Sequence, residues 1–286
     1  MDVGIGLPNA LEGVRGRELV EWAAKADERG FSVLGSIGRF VFDTHDEVVA
    51  FAAAAAVTGR IELMSTVMLA PPRRAALLAK QAATLDHIAE GRFRLGMGVG
   101  IRPDDYNVMG ADFANRGAVL DALLDALEAT WSRFPLPGAD APVGPPPYTD
   151  GGPPIVLGGG SPRALRRAGE RADAWISSLG APDEIAANYE KVRAAAENVG
   201  RPAPRFLASG YFALGDVDDE VRRNIAAYYR FGGSEFIEMI DGVVLRTPEQ
   251  ITRYLSTLED IGAEEVTLWP QARGLDQVNT LADIAL

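Results

Sequence analysis

Residues 75–100 read AALLAKQAATLDHIAEGRFRLGMGVG, and the periodicity changes partway along. From Ala75 to Ile88 the run reads as a helix, after the Pro-Pro turn of STVMLAPPRR. From Arg92 onward Phe93, Leu95 and Met97 alternate with Arg92 and Arg94, which reads as a strand. Gly96, Gly98 and Gly100 then fall at every second position. A helix feeding a strand, with glycines at the strand end, is the unit from which the fold is read.

The unit recurs along the chain. Strand-like runs cover residues 3–7, 32–37, 61–69, 92–98, 155–158, 174–177, 205–214 and 265–269. Helical spacing joins Leu19, Trp22, Ala23 and Ala26, then Leu120, Leu123, Leu124, Leu127 and Trp131. It returns at Ile185, Tyr189, Val192 and Ala196, and at Ile251, Tyr254, Leu255 and Leu258. Thr247-Pro248-Glu249 opens the last helix with a cap, a proline at the first position and an acid in the first turn. Eight strand–helix alternations predict parallel strands joined by crossover helices, and eight closes a (β/α)8 TIM barrel. A doubly wound sheet is the alternative. The expectation is one barrel domain over residues 1–286.

One segment breaks the rhythm. Eight prolines lie between Pro135 and Pro154, with Gly138, Gly144, Gly151 and Gly152 among them. No helix runs through such a stretch. It reads as an irregular insertion between the fourth helix and the fifth strand; a linker between two domains is the other reading. The helix of EVVAFAAAAAV, residues 47–57, is apolar all round and needs a cover. A homodimer packed through small alanines is the expected cover, and burial beneath a loop the plainer one.

Composition narrows the chemistry. The 286 residues are 47% hydrophobic and 24% charged, ordinary for a globular protein. A net charge of −12 argues against nucleic acid or an anionic membrane as the main partner. There are no cysteines, which removes thiolate metal sites, disulfides and cysteine nucleophiles. Two histidines, His45 and His87, are too few for a multi-histidine metal centre, and no metal is expected. The N-terminus does not read as a signal peptide and no run is long enough to span a membrane, so a cytoplasmic location is expected.

Chemistry in such a barrel sits at the C-terminal ends of the strands. The spacing of Gly96, Gly98 and Gly100 is not a dinucleotide fingerprint, because Arg102-Pro103-Asp104-Asp105 follows where that motif needs a helix. Alternate glycines instead bare one strand face to a flat ligand or to another backbone, and Gly4 and Gly6 repeat the pattern. In IVLGGGSPRAL, residues 155–165, three glycines and Ser161 lead into a helix, with Arg163, Arg166 and Arg167 beyond. Free backbone N–H groups at a helix start suit a phosphate; an ordinary Ser-capped turn is the competing reading.

These residues together resemble the bacterial luciferase-like superfamily of flavin- and deazaflavin-dependent oxidoreductases. The block from Ala70 to Gly110, APPRRAALLAKQAATLDHIAEGRFRLGMGVGIRPDDYNVMG, carries most of the likeness, and GGGSPRALRRAGERADAWI adds to it. The resemblance implies a TIM-type barrel, usually a homodimer, binding reduced FMN or coenzyme F420. It implies a cis peptide at Thr66–Val67 and phosphate contacts at Gly159, Gly160 and Ser161. Gly98, Ile101 and Asp104 match residues flanking the cofactor, and Gly6 is added from the bare first strand. Relatives often carry an acid–His pair after the second strand, where this chain has Gly38 and Arg39. Arg39 is then a candidate for an anionic substrate or the cofactor's carbonyl edge, or a surface residue paired with Asp43; guanidinium cannot act as an acid near neutral pH. Arg39 and Asp104 are the catalytic candidates. Asp104 and Asp105 are also placed to hold Arg39 or Arg102.

The function implied is FMN-dependent monooxygenation of a small organic molecule, with a separate flavin reductase as a partner. Hydride transfer with F420 and a non-catalytic flavin-binding role are the alternatives. An unrelated phosphosugar barrel enzyme is disfavoured, since Lys25, Lys80 and Lys191 all fall in helical patterns. Phe40, Phe42, Tyr106, Tyr211, Phe212 and Trp269 are candidate walls of an apolar substrate pocket.

Overall fold

The computed structural model describes all residues from Met1 to Leu286. Its ten strands are β1 (Asp2–Gly6), β2 (Val33–Ser36), β3 (Glu62–Ser65), β4 (Met68–Leu69), β5 (Phe93–Gly98), β6 (Ile155–Gly158), β7 (Ala174–Ile176), β8 (Arg205–Phe212), β9 (Val244–Leu245) and β10 (Glu265–Pro270). Eight of them close into a parallel barrel in the order β1-β2-β3-β5-β6-β7-β8-β10, with β10 pairing back onto β1. The helices between them are α1 (Gly16–Arg29), α2 (Glu47–Ala55), α3 (Ala75–Ile88), α5 (Arg116–Trp131), α6 (Pro162–Arg171), α7 (Pro182–Asn198), α10 (Pro248–Asp260) and α11 (Leu275–Ala285). The expected (β/α)8 barrel is therefore present.

Departures from the expected elements occur where the chain reaches the mouth. The run 61–69 is split into β3 and β4 at Thr66–Val67, and that peptide bond is cis. A short helix, α4 (Pro103–Val108), does follow Arg102, because Pro103 suits the first helical position. The insertion at 132–154 stays irregular and wraps the outside of α3: Lys80 donates to the Gly144 carbonyl, and Thr149 N–H to Asp86 at 2.7 Å. A second excursion has no counterpart in the sequence reading. After β8 come α8 (Asp218–Tyr228), α9 (Gly233–Gly242) and β9, and β9 pairs with Tyr211 and Phe212 at the mouth end of β8.

The bare strand faces turn out to be filled by the protein itself. A Cβ on Gly96 would stand 1.7 Å from the Ser65 carbonyl oxygen, and one on Gly6 would stand 2.1 Å from the Trp269 ring. These glycines let neighbouring backbone and one indole approach inside the barrel. At the opposite end of the barrel, Arg94 forks onto Glu265 at 2.8 and 3.0 Å and meets Glu62 at 2.8 Å. Burial raises the Glu265 carboxyl, with Arg94 pulling the other way.

Candidate active site

Three cavities open at the C-terminal ends of the strands, and Val67 and Ile101 line all of them. They therefore form one branched cleft. Its lobes measure about 340, 240 and 330 Å³.

The 330 Å³ lobe runs past Gly98 and Gly158 to Gly159, Gly160 and Ser161 at the start of α6. Gly159 has φ +118°, a conformation glycine takes readily. Ser161 Oγ caps the helix by accepting from Ala164 N–H. The N–H groups of Gly160 and Ser161 have no partner in the protein. Arg167 lines this lobe, but Asp121 and the Gly117 carbonyl occupy its guanidinium. Arg116 lies on the Phe113 ring, 4.0 Å from its centroid, and gives one N–H to the Phe113 carbonyl at 2.8 Å. Its Nε is buried without a partner, and its side-chain hydrogen bond goes to a carbonyl rather than to a carboxylate. Arg163 and Arg166 point to solvent. Free amides, a helix start and one unneutralised cation fit a phosphate group.

The 240 Å³ lobe is the charged rim. Arg39 is buried, with its Nε 3.3 Å from Asp105 and Nη2 3.4 Å from Asp104. It does not pair with Asp43, and it is not a free cation for an anionic substrate. Asp105 also accepts from the Phe40 and Val41 N–H groups, at 2.9 and 2.7 Å, and so fixes the loop after β2. Asp104 is half exposed at the rim. Arg102 reaches the second excursion: it donates to the Tyr228 carbonyl at 2.8 Å and stacks 4.1 Å from the Phe231 centroid and 4.6 Å from that of Tyr228.

The 340 Å³ lobe has no charged side chain. Thr66, Val67, Ile101, Ile176, Trp269 and Tyr211 come from barrel strands and their loops; Tyr229, Phe236, Met239 and Ile240 come from the second excursion. That excursion is therefore a wall over the mouth.

Among the residues singled out from sequence, Thr66, Val67, Gly98, Ile101, Gly159, Gly160, Ser161 and Arg39 line the cleft. Gly6 sits beneath Trp269 instead. Tyr211 and Trp269 line the cleft, whereas Phe212 is core and Tyr106 is buried with its hydroxyl on the Val99 carbonyl. Asp46 caps α2, and the neighbouring His45 lines none of the three lobes. His87 lies outside the site, bonded to the Pro146 carbonyl at 2.7 Å. Arg116, Tyr229 and the α9 residues were missed. Arg116 belongs to the preceding strand–helix unit, far in sequence from the GGGS turn it faces.

The likeness to known proteins runs the length of the chain. A family model described as luciferase-like monooxygenase matches residues 1–277. An uncharacterized protein of Mycobacterium tuberculosis (strain ATCC 25618 / H37Rv) is 36% identical over 161 residues, 54% of this chain and 54% of that one. The chain thus spans about half the length of the curated relatives it matches. Among solved structures, monooxygenase RslO1 from Streptomyces bottropensis has a TM-score of 0.83 at 19% identity, covering 100% of this chain and 98% of that chain. An F420-dependent secondary alcohol dehydrogenase in complex with an F420-acetone adduct has a TM-score of 0.81 at 15% identity, covering 99% and 97%. The oxygenating constituent of 3,6-diketocamphane monooxygenase from the CAM plasmid of Pseudomonas putida, in complex with FMN, has a TM-score of 0.76 at 21% identity, covering 99% and 97%.

Proposed function

The chain belongs to the luciferase-like monooxygenase family, and from that premise we propose that it is an oxidoreductase working with reduced FMN and dioxygen on a small, neutral organic molecule. The observation that carries this reading is the branched cleft, with a phosphate-fitting end, a junction at Val67 and Ile101, and an apolar lobe beyond. FMN ends in a phosphate monoester, close to a dianion at neutral pH. Two free amides and the unneutralised Arg116 suit that charge better than they suit a phosphodiester. The solved monooxygenases of similar fold, one of them with FMN, support the same reading.

When bound, reduced flavin supplies two electrons, so that one oxygen atom of dioxygen goes to substrate and the other leaves as water. The protein binds, orients and excludes water. Gly160, Ser161 and Arg116 would hold the phosphate, and Val67 and Ile101 would border the ring. The rim ion pairs fix the β2 and β5 loops, and the α9 wall keeps the substrate lobe dry. No histidine or carboxylate side chain reaches the apolar lobe, so acid–base work there falls to hydroxyl groups. In this reading residues 1–286 act as one domain, a separate reductase delivers reduced FMN, and the chain works as a homodimer through α2 and α3.

Hydride transfer with coenzyme F420 is the second reading, favoured by the dehydrogenase of similar fold. Equilibrium titration with FMN and with F420, followed by absorbance, separates them. FMN is expected to bind at least tenfold more tightly than F420. Binding of F420 alone would favour hydride transfer, and binding of neither would overturn both.

A further inference from the structure

Several donors in the walls of the apolar lobe have no acceptor, and one of them belongs to a pair of phenols. Thr66 Oγ1 donates to the Ser36 carbonyl at 3.1 Å, and Ser209 Oγ donates to the Ser177 carbonyl at 3.0 Å. Ser177 Oγ and Trp269 Nε1 are enclosed and unpartnered. Tyr211 and Tyr229 bond only to each other, hydroxyl to hydroxyl. Two phenols carry two protons, and their mutual bond uses one. The second O–H has no protein acceptor within hydrogen-bond distance. Leaving such a donor unpaired is costly, so its natural complement is a ligand atom.

The pair is held in place from both sides. Tyr211 is on β8 and packs against Trp269, with ring centroids 5.9 Å apart. Tyr229 follows α8 and packs on Phe236 at 5.5 Å and Tyr228 at 5.0 Å. One hydroxyl thus belongs to the barrel and the other to the wall over its mouth. Burial raises both phenols above their ordinary range, so both stay protonated across neutral pH. The lobe has no cation to neutralise an anionic ligand and no carboxylate for a cationic one.

We propose that the Tyr211–Tyr229 hydroxyl pair is the specificity element of the apolar lobe. It donates one hydrogen bond to an acceptor oxygen, of carbonyl type, on an otherwise apolar and uncharged molecule. The pair is a positioning device: it orients the molecule's polar end, while Ile101, Ile176 and Met239 enclose the rest. This rests on the reading above only in calling the bound molecule the substrate.

The test compares acetophenone with α-methylstyrene, which replaces the carbonyl oxygen by a methylene. Calorimetry is run on the wild-type protein and on the double variant Tyr211→Phe, Tyr229→Phe, and FMN affinity is measured on both. Acetophenone should bind the wild type about 5- to 10-fold more tightly, the worth of one neutral hydrogen bond. The double variant should lose that preference and keep its FMN affinity. The infrared carbonyl stretch of acetophenone bound to wild type should lie below its value in an alkane, a readout that needs no variant. An unshifted stretch, no preference in the wild type, or a preference kept by the double variant would overturn the proposal. A carbonyl preference in a protein that does not bind FMN would leave the pair's role standing and defeat the cofactor reading.

Discussion

At the scale of single residues, the glycines show what pattern alone conveys. Their alternation in RLGMGVG marks a face where something approaches closely, and the sequence leaves open what that is. At Gly96 the neighbour is the Ser65 carbonyl oxygen, whose own strand also receives the Gly96 N–H on Ser65 Oγ at 2.9 Å. Gly96→Ala should therefore destabilise the fold by about 3 kcal/mol, since backbone cannot step aside. Chemical denaturation should show a lower midpoint with an unchanged slope, and an unchanged midpoint would remove the packing explanation. Arg39 is the opposite case. Its partners, Asp104 and Asp105, are among those the sequence offers, and the barrel's curvature brings Asp105 in across 66 residues. Arg116 is not legible: a lone arginine before a helix carries no local mark of the turn it faces across the cleft.

At the scale of elements, strands and most helices were legible because their periods differ, 2 against 3.6. The second excursion was not, because YYRFGGSEFIEMIDG mixes aromatic, glycine and acidic residues without a sustained period. Besides the β9–β8 pairing, it is attached through Arg102, which has no carboxylate partner, lies against ring faces and donates to the Tyr228 carbonyl, with its Nε left unpartnered. Removing that side chain in Arg102→Ala should speed amide hydrogen exchange across residues 230–242 at least tenfold, while the β1 and β10 amides stay as protected as before. Equal acceleration in both places would mean that Arg102 supports the barrel rather than the wall. On the far side of the barrel, Asp27 ties the end of α1 to the start of β3. Partial burial raises its carboxyl, but N–H groups of Gly59, Ile61 and Arg60 outweigh that and hold it below the ordinary 3.8. A depressed folded value stabilises above the unfolded pKa and loses that contribution as pH falls through the folded one. Asp27→Asn should lower Tm at pH 7, and the gap to wild type should narrow below pH 3.8. A gap independent of pH would point to shape rather than charge.

At the scale of the whole molecule, the count of eight alternations led to the barrel, and the barrel led to the mouth. The chain has no thiol and only two histidines, so its cleft chemistry uses neither thiolates nor a histidine cluster. The apolar α2 remains partly uncovered in the single chain: Val49 is 69% exposed and Val57, just past its end, 43%, and Leu77 and Ile88 of the adjoining α3 are also exposed. In the proposed dimer this face is covered by a second copy. Light scattering should give twice the 30.5 kDa chain mass, and Val49→Lys with Leu77→Lys should give the chain mass alone. A wild-type monomer would require another cover. The proposed cofactor use depends on one end of the cleft holding the cofactor's phosphate. Titration of FMN against riboflavin, which differs only by that phosphate, tests it in the wild type and in Arg116→Gln. The wild type should prefer FMN by a factor of about 10 to 100, as expected of charge-assisted hydrogen bonds, and the variant should lose most of that preference without weakening riboflavin binding. Equal affinities for FMN and riboflavin in the wild type would contradict the assignment of the cleft.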